Sequence, residues 1–86
     1  MLILAEGTIH HHVEGADHIA AGAWLGPMID AGVLHAGYHQ EDTGRIIMIL
    51  AAESLKSIDR RLLDLPVVRN GSVTFRTSRL TALRFA

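Results

Sequence analysis

Residues 33–52 read VLHAGYHQEDTGRIIMILAA, two strand-like runs either side of a polar turn. From Val33 to Gln40 the side chains alternate. Val33, His35, Gly37 and His39 fall on one side and Leu34, Ala36, Tyr38 and Gln40 on the other, which is the period of a β-strand. Glu41-Asp42-Thr43-Gly44 has the composition of a turn, and Arg45 to Ala52 forms a second strand, so the stretch predicts a hairpin. The second strand is apolar on both sides, with Ile46, Met48 and Leu50 against Ile47 and Ile49. A sheet built on it therefore has no polar face to give to water.

Toward the N-terminus, Met1 to Ala5 is a short apolar run closed by Glu6-Gly7, the pattern of a central strand buried on both faces. Thr8 to Gly15 carries no sustained period and predicts a loop, with Asp17 as N-cap of the next segment. From His18 to Ala31 the apolar residues Ile19, Ala23, Trp24, Leu25, Met28 and Ile29 suit an amphipathic helix. Gly26-Pro27 predicts a kink or break in it, and Gly32 a C-terminal stop. Toward the C-terminus, Ser54 caps a second helix whose Leu55, Ile58, Leu62 and Leu65 share a face, and Pro66 ends it. Lys56, Asp59, Arg60 and Asp64 are its solvated side. After a Val67 to Gly71 connection, Ser72 to Leu80 alternates as a last strand.

The order β, α, β, β, α, β predicts one domain over residues 1–86. It is an α+β, ferredoxin-like arrangement: a four-stranded antiparallel sheet with both helices on one face. The face without helices needs cover, and packing against a second copy supplies it, so a homodimer or higher oligomer is expected. Size points the same way, since a domain of 86 residues buries only about 60–65% of its unfolded surface. With no cysteine there is no disulfide to add stability, while 49% of the residues are hydrophobic and 20% charged.

Composition also excludes classes of function. A net charge of −1 and a stock of two Phe, one Tyr and one Trp leave neither the basic footprint nor the stacking surface of a nucleic-acid binder. Met1 to Ala5 is too short for a signal sequence, and no apolar run approaches the roughly 20 residues that span a bilayer. A cytoplasmic protein without membrane partners is the expectation. Charge is split along the chain. Residues 1–43 hold six acids and no Lys or Arg, and residues 44–86 hold all eight basic residues against three acids, so the two halves are expected to lie side by side and neutralise each other.

The frame Asp30-Ala-Gly-Val-Leu34, the hairpin ending in an apolar strand, the helix opening Glu53-Ser54-Leu55 and its closure Leu65-Pro66-Val67 together resemble the muconolactone isomerase family. The likeness covers about residues 30–80. It implies a dimeric α+β barrel and a cytoplasmic isomerase that moves a double bond in a small lactone acid during aromatic degradation. This chain departs from the family in lacking its longer C-terminal extension, and in carrying His35 and His39 on strand two where a more strongly basic group is expected. A looser resemblance is to the YCII-related proteins of the same fold, which look like His-Asp enzymes and make His18 the corresponding histidine.

An allylic isomerisation needs a base to remove a proton beside a carbonyl, an acid to return it and a positive group for the enolate. Imidazole suits the first task at neutral pH. His35 and His39, on one strand face and about 13 Å apart along it, are placed for opposite ends of a small pocket, with His18 the third catalytic candidate. The alternative is that they lie at a sheet interface or in solvent. His10, His11 and His12 are consecutive, so no more than two converge in an extended loop, fewer than zinc requires. No metal or cofactor is expected. His10 and His12 instead suit a polar rim over a sheet–helix pocket, with proton shuttling as a further role. Trp24 contacts substrate or, with Met28, fills the core. Tyr38 donates to an oxyanion or is half-buried strand surface, and Arg76 holds a carboxylate bidentately or forms a cross-strand ion pair. A small-molecule ligand is the expected partner, bound either by an enzyme or by a non-catalytic module of the same fold.

Overall fold

The computed structural model describes residues 1–13 and 16–85. Four strands, β1 (Leu2–Ile9), β2 (Leu34–Gln40), β3 (Arg45–Ala51) and β4 (Val73–Leu80), form one antiparallel sheet in the order β2-β3-β1-β4. The helices α1 (Gly26–Asp30), α2 (Leu55–Leu63) and α3 (Pro66–Arg69) lie in the two crossovers. This is the ferredoxin-like α+β arrangement that the hairpin and its flanking segments predict.

The core sits between the helices and one face of the sheet. Ile3 and Ala5 of β1, Ile46, Met48 and Leu50 of β3 and Val73 of β4 meet Ile19, Met28, Ile58, Leu62 and Leu65 from the crossovers. Alternation in β1 and β3 puts every second side chain into this layer. Leu4, Glu6, Ile47 and Ile49 therefore point to the opposite face, where they are half-exposed in the single chain. Met1 to Ala5 is accordingly buried on one face, not two.

β1 also runs four residues further than expected. Gly7 pairs with Ile46 and with Phe75, so it closes no turn. A Cβ on Gly7 would stand 2.6 Å from Cε1 of Phe75; the glycine is there to let that ring cross the strand. Phe75 then reaches Trp24, with ring centroids 6.1 Å apart, and ties the first crossover to the far side of the sheet.

The helix expected over His18 to Ala31 is broken into three pieces: 3₁₀ turns at Ala16–Ala21 and Ala23–Leu25, then α1. Gly22 adopts φ +75° between the two turns, a conformation that ends helical continuity. Pro27 sits in the first turn of α1, where its missing N–H costs nothing. Gly32, at φ +70°, stops α1 as expected. Val33 N–H donates to the Met28 carbonyl and Gly32 N–H to that of Ile29, the paired closure of a Schellman motif. The proposed Asp17 cap, and Glu14 and Gly15 of the preceding loop, lie outside the described side chains and residues. In the second crossover Ser54 caps α2 by accepting a hydrogen bond from Ser57 N–H at 3.1 Å. The segment after Pro66 is not a plain connection, because Pro66 starts the short α3.

Candidate functional site

The first crossover stands away from the sheet edge formed by β2 and the adjoining β3, leaving a cavity of about 260 Å³. Ile19, Trp24, Leu25, Leu34, Ile46 and Met48 make its apolar wall, and His39 is the imidazole on it. Each wall residue has a structural reason to be there. Trp24 is held by its indole N–H, which donates to the Ile19 carbonyl at 2.7 Å, and by the Phe75 ring behind it. Its one polar atom is thereby used, so toward a ligand it offers apolar surface. Gly37, opposite Met48, contributes no side chain and leaves room in the strand wall.

The orientation of His39 follows from register. In β2, Leu34 pairs with Leu50, Gly37 with Met48 and His39 with Ile46. Their partners are core residues, and directly opposed side chains share a face, so His39 is on the helix side of the sheet. Between Leu34 and Ala36 the register shifts. This bulge carries His35 and breaks the strict alternation of the strand there. His35 is exposed and does not line the cavity.

The remaining expected residues divide in the same way. Tyr38 borders the cavity through its strand, but it pairs with Ile47 and its side chain belongs to the opposite face, 63% exposed. Arg76 pairs with Glu6, which puts it on that opposite face as well. His18 is exposed on the first 3₁₀ turn, next to the wall residue Ile19. His10 is no part of a rim over this cavity. One residue past β1, it shares a hydrogen bond between Nε2 and Thr74 Oγ1 at 2.7 Å, and Thr74 faces away from the helices with Thr8. The His12 ring meets that of His10 edge-on at 5.9 Å. The structure thus brings Trp24 and His39 together and draws His10, Arg76 and Tyr38 onto the other side of the sheet. Wall residues that sequence reasoning passed over are Leu25, Leu34 and Ile46, with Gly7 and Phe75 as supports behind Trp24. An isolated glycine in an apolar strand pattern was the available signal for the last pair.

A second, larger cleft of about 440 Å³ runs between α2, α3 and β4, lined by Leu62, Leu63, Val68 and Phe75. Its polar end is closed on itself, since Thr77 Oγ1 donates to Asp59 Oδ1 at 2.7 Å. Among the described residues no histidine lines it, which makes the smaller cavity the better place for proton chemistry.

No family model matches the sequence, and no curated protein matches it. Among solved structures the chain is similar to 5-chloro-2-hydroxyhydroquinone dehydrochlorinase from Burkholderia phenoliruptrix, determined with 2,5-dihydroxybenzoquinone bound. The TM-score is 0.67 at 20% sequence identity, over 94% of each chain. At that identity the likeness establishes a shared fold over nearly the whole length.

Proposed function

We propose that this chain is a small-molecule enzyme, a cofactor-free proton-transfer catalyst acting on a small lactone or enol acid, with His39 as its acid–base group. One observation carries the reading: an exposed imidazole on the helix side of the sheet, in a cavity otherwise walled by Trp24 and aliphatic side chains. About 260 Å³ lies at the small end of ligand sites and suits a single-ring molecule. His39 takes a proton from the carbon beside a carbonyl, and the imidazolium so formed faces the enolate. Returning the same proton to a different carbon completes the isomerisation with no net change in protons. The structurally similar dehydrochlorinase acts, by its name, on a hydroxylated ring, which supports an enolic substrate class here.

The protein is further proposed to work as a homodimer through the sheet face opposite the helices. Its single-chain surface is 5986 Å², against roughly 5,000 Å² for a compact monomer of this mass. Leu4, Ile47 and Ile49 are half-exposed on that face beside the exposed Tyr38 ring. A second reading, a non-catalytic ligand-binding module, is favoured by one feature: neither carboxylate nor arginine is among the described residues that line the cavity. Turnover against a panel of lactones and enol acids separates the two. Activity with a pH profile abolished by His39→Gln supports the enzyme, and binding without any turnover of the panel supports the module.

A further inference from the structure

The sheet face away from the helices is chemically divided. Leu4, Ala36 and Ile49 occupy one part of it, and in the next rows the side chains, Ile47 apart, turn polar. Glu6 stands opposite Arg76, and Thr8 opposite Thr74. Arg45 reaches Glu6 with Nη1 3.7 Å from Oε2. Together with Phe75, whose ring itself turns to the helix side, these residues line a depression of about 220 Å³. At its margin His10 Nε2 and Thr74 Oγ1 share their 2.7 Å hydrogen bond.

Charge in this depression is unbalanced, with two guanidinium groups and one carboxylate. The Glu6–Arg45 contact is nearly 1 Å longer than a charge-assisted hydrogen bond of about 2.7–2.9 Å, so the carboxylate only loosely holds even its nearer arginine. Arg76 makes no hydrogen bond or ion pair among the described residues, although Glu6 is its cross-strand neighbour. A planar fork of donors is thus left facing a pocket that also holds the hydroxyls of Thr8 and Thr74. Donors outnumber acceptors, and the complementary ligand is one that is all acceptor.

We propose that this depression is a second binding site, for a small oxyanion that carries a carboxylate or phosphate group. Arg76 holds the anion bidentately, the geometry for which a guanidinium is suited. Arg45 supplies the second positive charge, the Thr8 hydroxyl adds a donor, and the Thr74 hydroxyl adds another when His10 Nε2–H is the donor in the bond between them. Glu6 limits the net charge to +1, which favours a singly charged anion. The site is on the opposite side of the sheet from His39, so it stands whether or not the cavity there is catalytic; it lies at the polar end of the face proposed for the dimer, and in a dimer it opens into the space between the two sheets.

The test is a titration of the whole chain, labelled with ¹⁵N at arginine, with inorganic phosphate and separately with acetate, at ionic strength held constant with chloride. Saturable shifts of the Arg76 and Arg45 side-chain resonances are expected, with the Arg79 resonance unmoved. Whichever of the two anions saturates at the lower concentration identifies the phosphate or carboxylate source. Arg76→Gln should weaken binding at least tenfold, Thr74→Val should weaken it several-fold, and Glu6→Gln should tighten it. Shifts that rise linearly for all arginines alike, or saturation that survives both Arg76→Gln and Thr74→Val in folded protein, would overturn the proposal.

Discussion

Gly7 and His39 are the two positions where one atom decides most. At Gly7 even a methyl group must displace the Phe75 ring, because the nearest ring carbon is 2.6 Å from where that methyl would be and Val73 Cγ1 is 3.1 Å away. Gly7→Ala should cost about 1–3 kcal/mol, as overpacking of a filled core does. A lowered melting temperature should come with altered tryptophan fluorescence, since Phe75 braces Trp24. His39 carries a different expectation. Its replacement by Gln keeps size and some hydrogen bonding but removes titration, which should cost turnover about 100-fold to 10,000-fold with the melting temperature little changed. His35→Gln, made at the exposed bulge outside the cavity, should alter neither rate nor stability appreciably.

Among the elements, α2 is the one whose sequence signals all agree. Ser54 caps it, and Ile58, Leu62 and the following Leu65 are buried on one face. Ser54→Ala removes the acceptor for Ser57 N–H and should destabilise the fold by about 1 kcal/mol, read as a shift in the denaturation midpoint at unchanged slope. The hairpin of β2 and β3 was equally plain in the sequence, because alternation and turn chemistry pointed the same way. The segment from Ala16 to Asp30 was not. Its apolar spacing is compatible with a continuous helix, and what breaks it is the left-handed Gly22 and the pull of Trp24 Nε1 toward the Ile19 carbonyl, a contact with no counterpart in periodicity. The site shows the same limit. His39 could be named from its strand, but the bulge at His35, which does not line the cavity, is set by pairing with β3. The division of Arg76 and His10 from the cavity likewise depends on register, which a single strand does not reveal.

For the molecule as a whole, the open sheet face is the feature without a single-chain explanation. Ile47 belongs to it, whereas its neighbour Met48 is fully buried in the core. Placing Asp at Ile47 therefore separates assembly from folding. In a lone chain the new carboxylate would meet water beside Glu6, its cross-strand neighbour, at a cost of about 1 kcal/mol. In a sheet-to-sheet dimer it would be buried without a partner at a cost of several kcal/mol. Light scattering of the unsubstituted chain should give a mass well above 9.4 kDa, and Ile47→Asp should return it to that value while circular dichroism keeps the α+β signature. A monomeric mass for the unsubstituted chain at micromolar concentration contradicts the dimer.

Whether His39 transfers protons is decided by one comparison: turnover of lactone and enol acids as a function of pH for the unsubstituted protein, His39→Gln and His35→Gln, with melting temperature taken on the same samples. Loss of at least 100-fold in rate and of the pH dependence in His39→Gln alone, all three proteins melting alike, is the expected result. Equal rates in all three, or a rate lost with His35→Gln and kept with His39→Gln, would place the chemistry elsewhere.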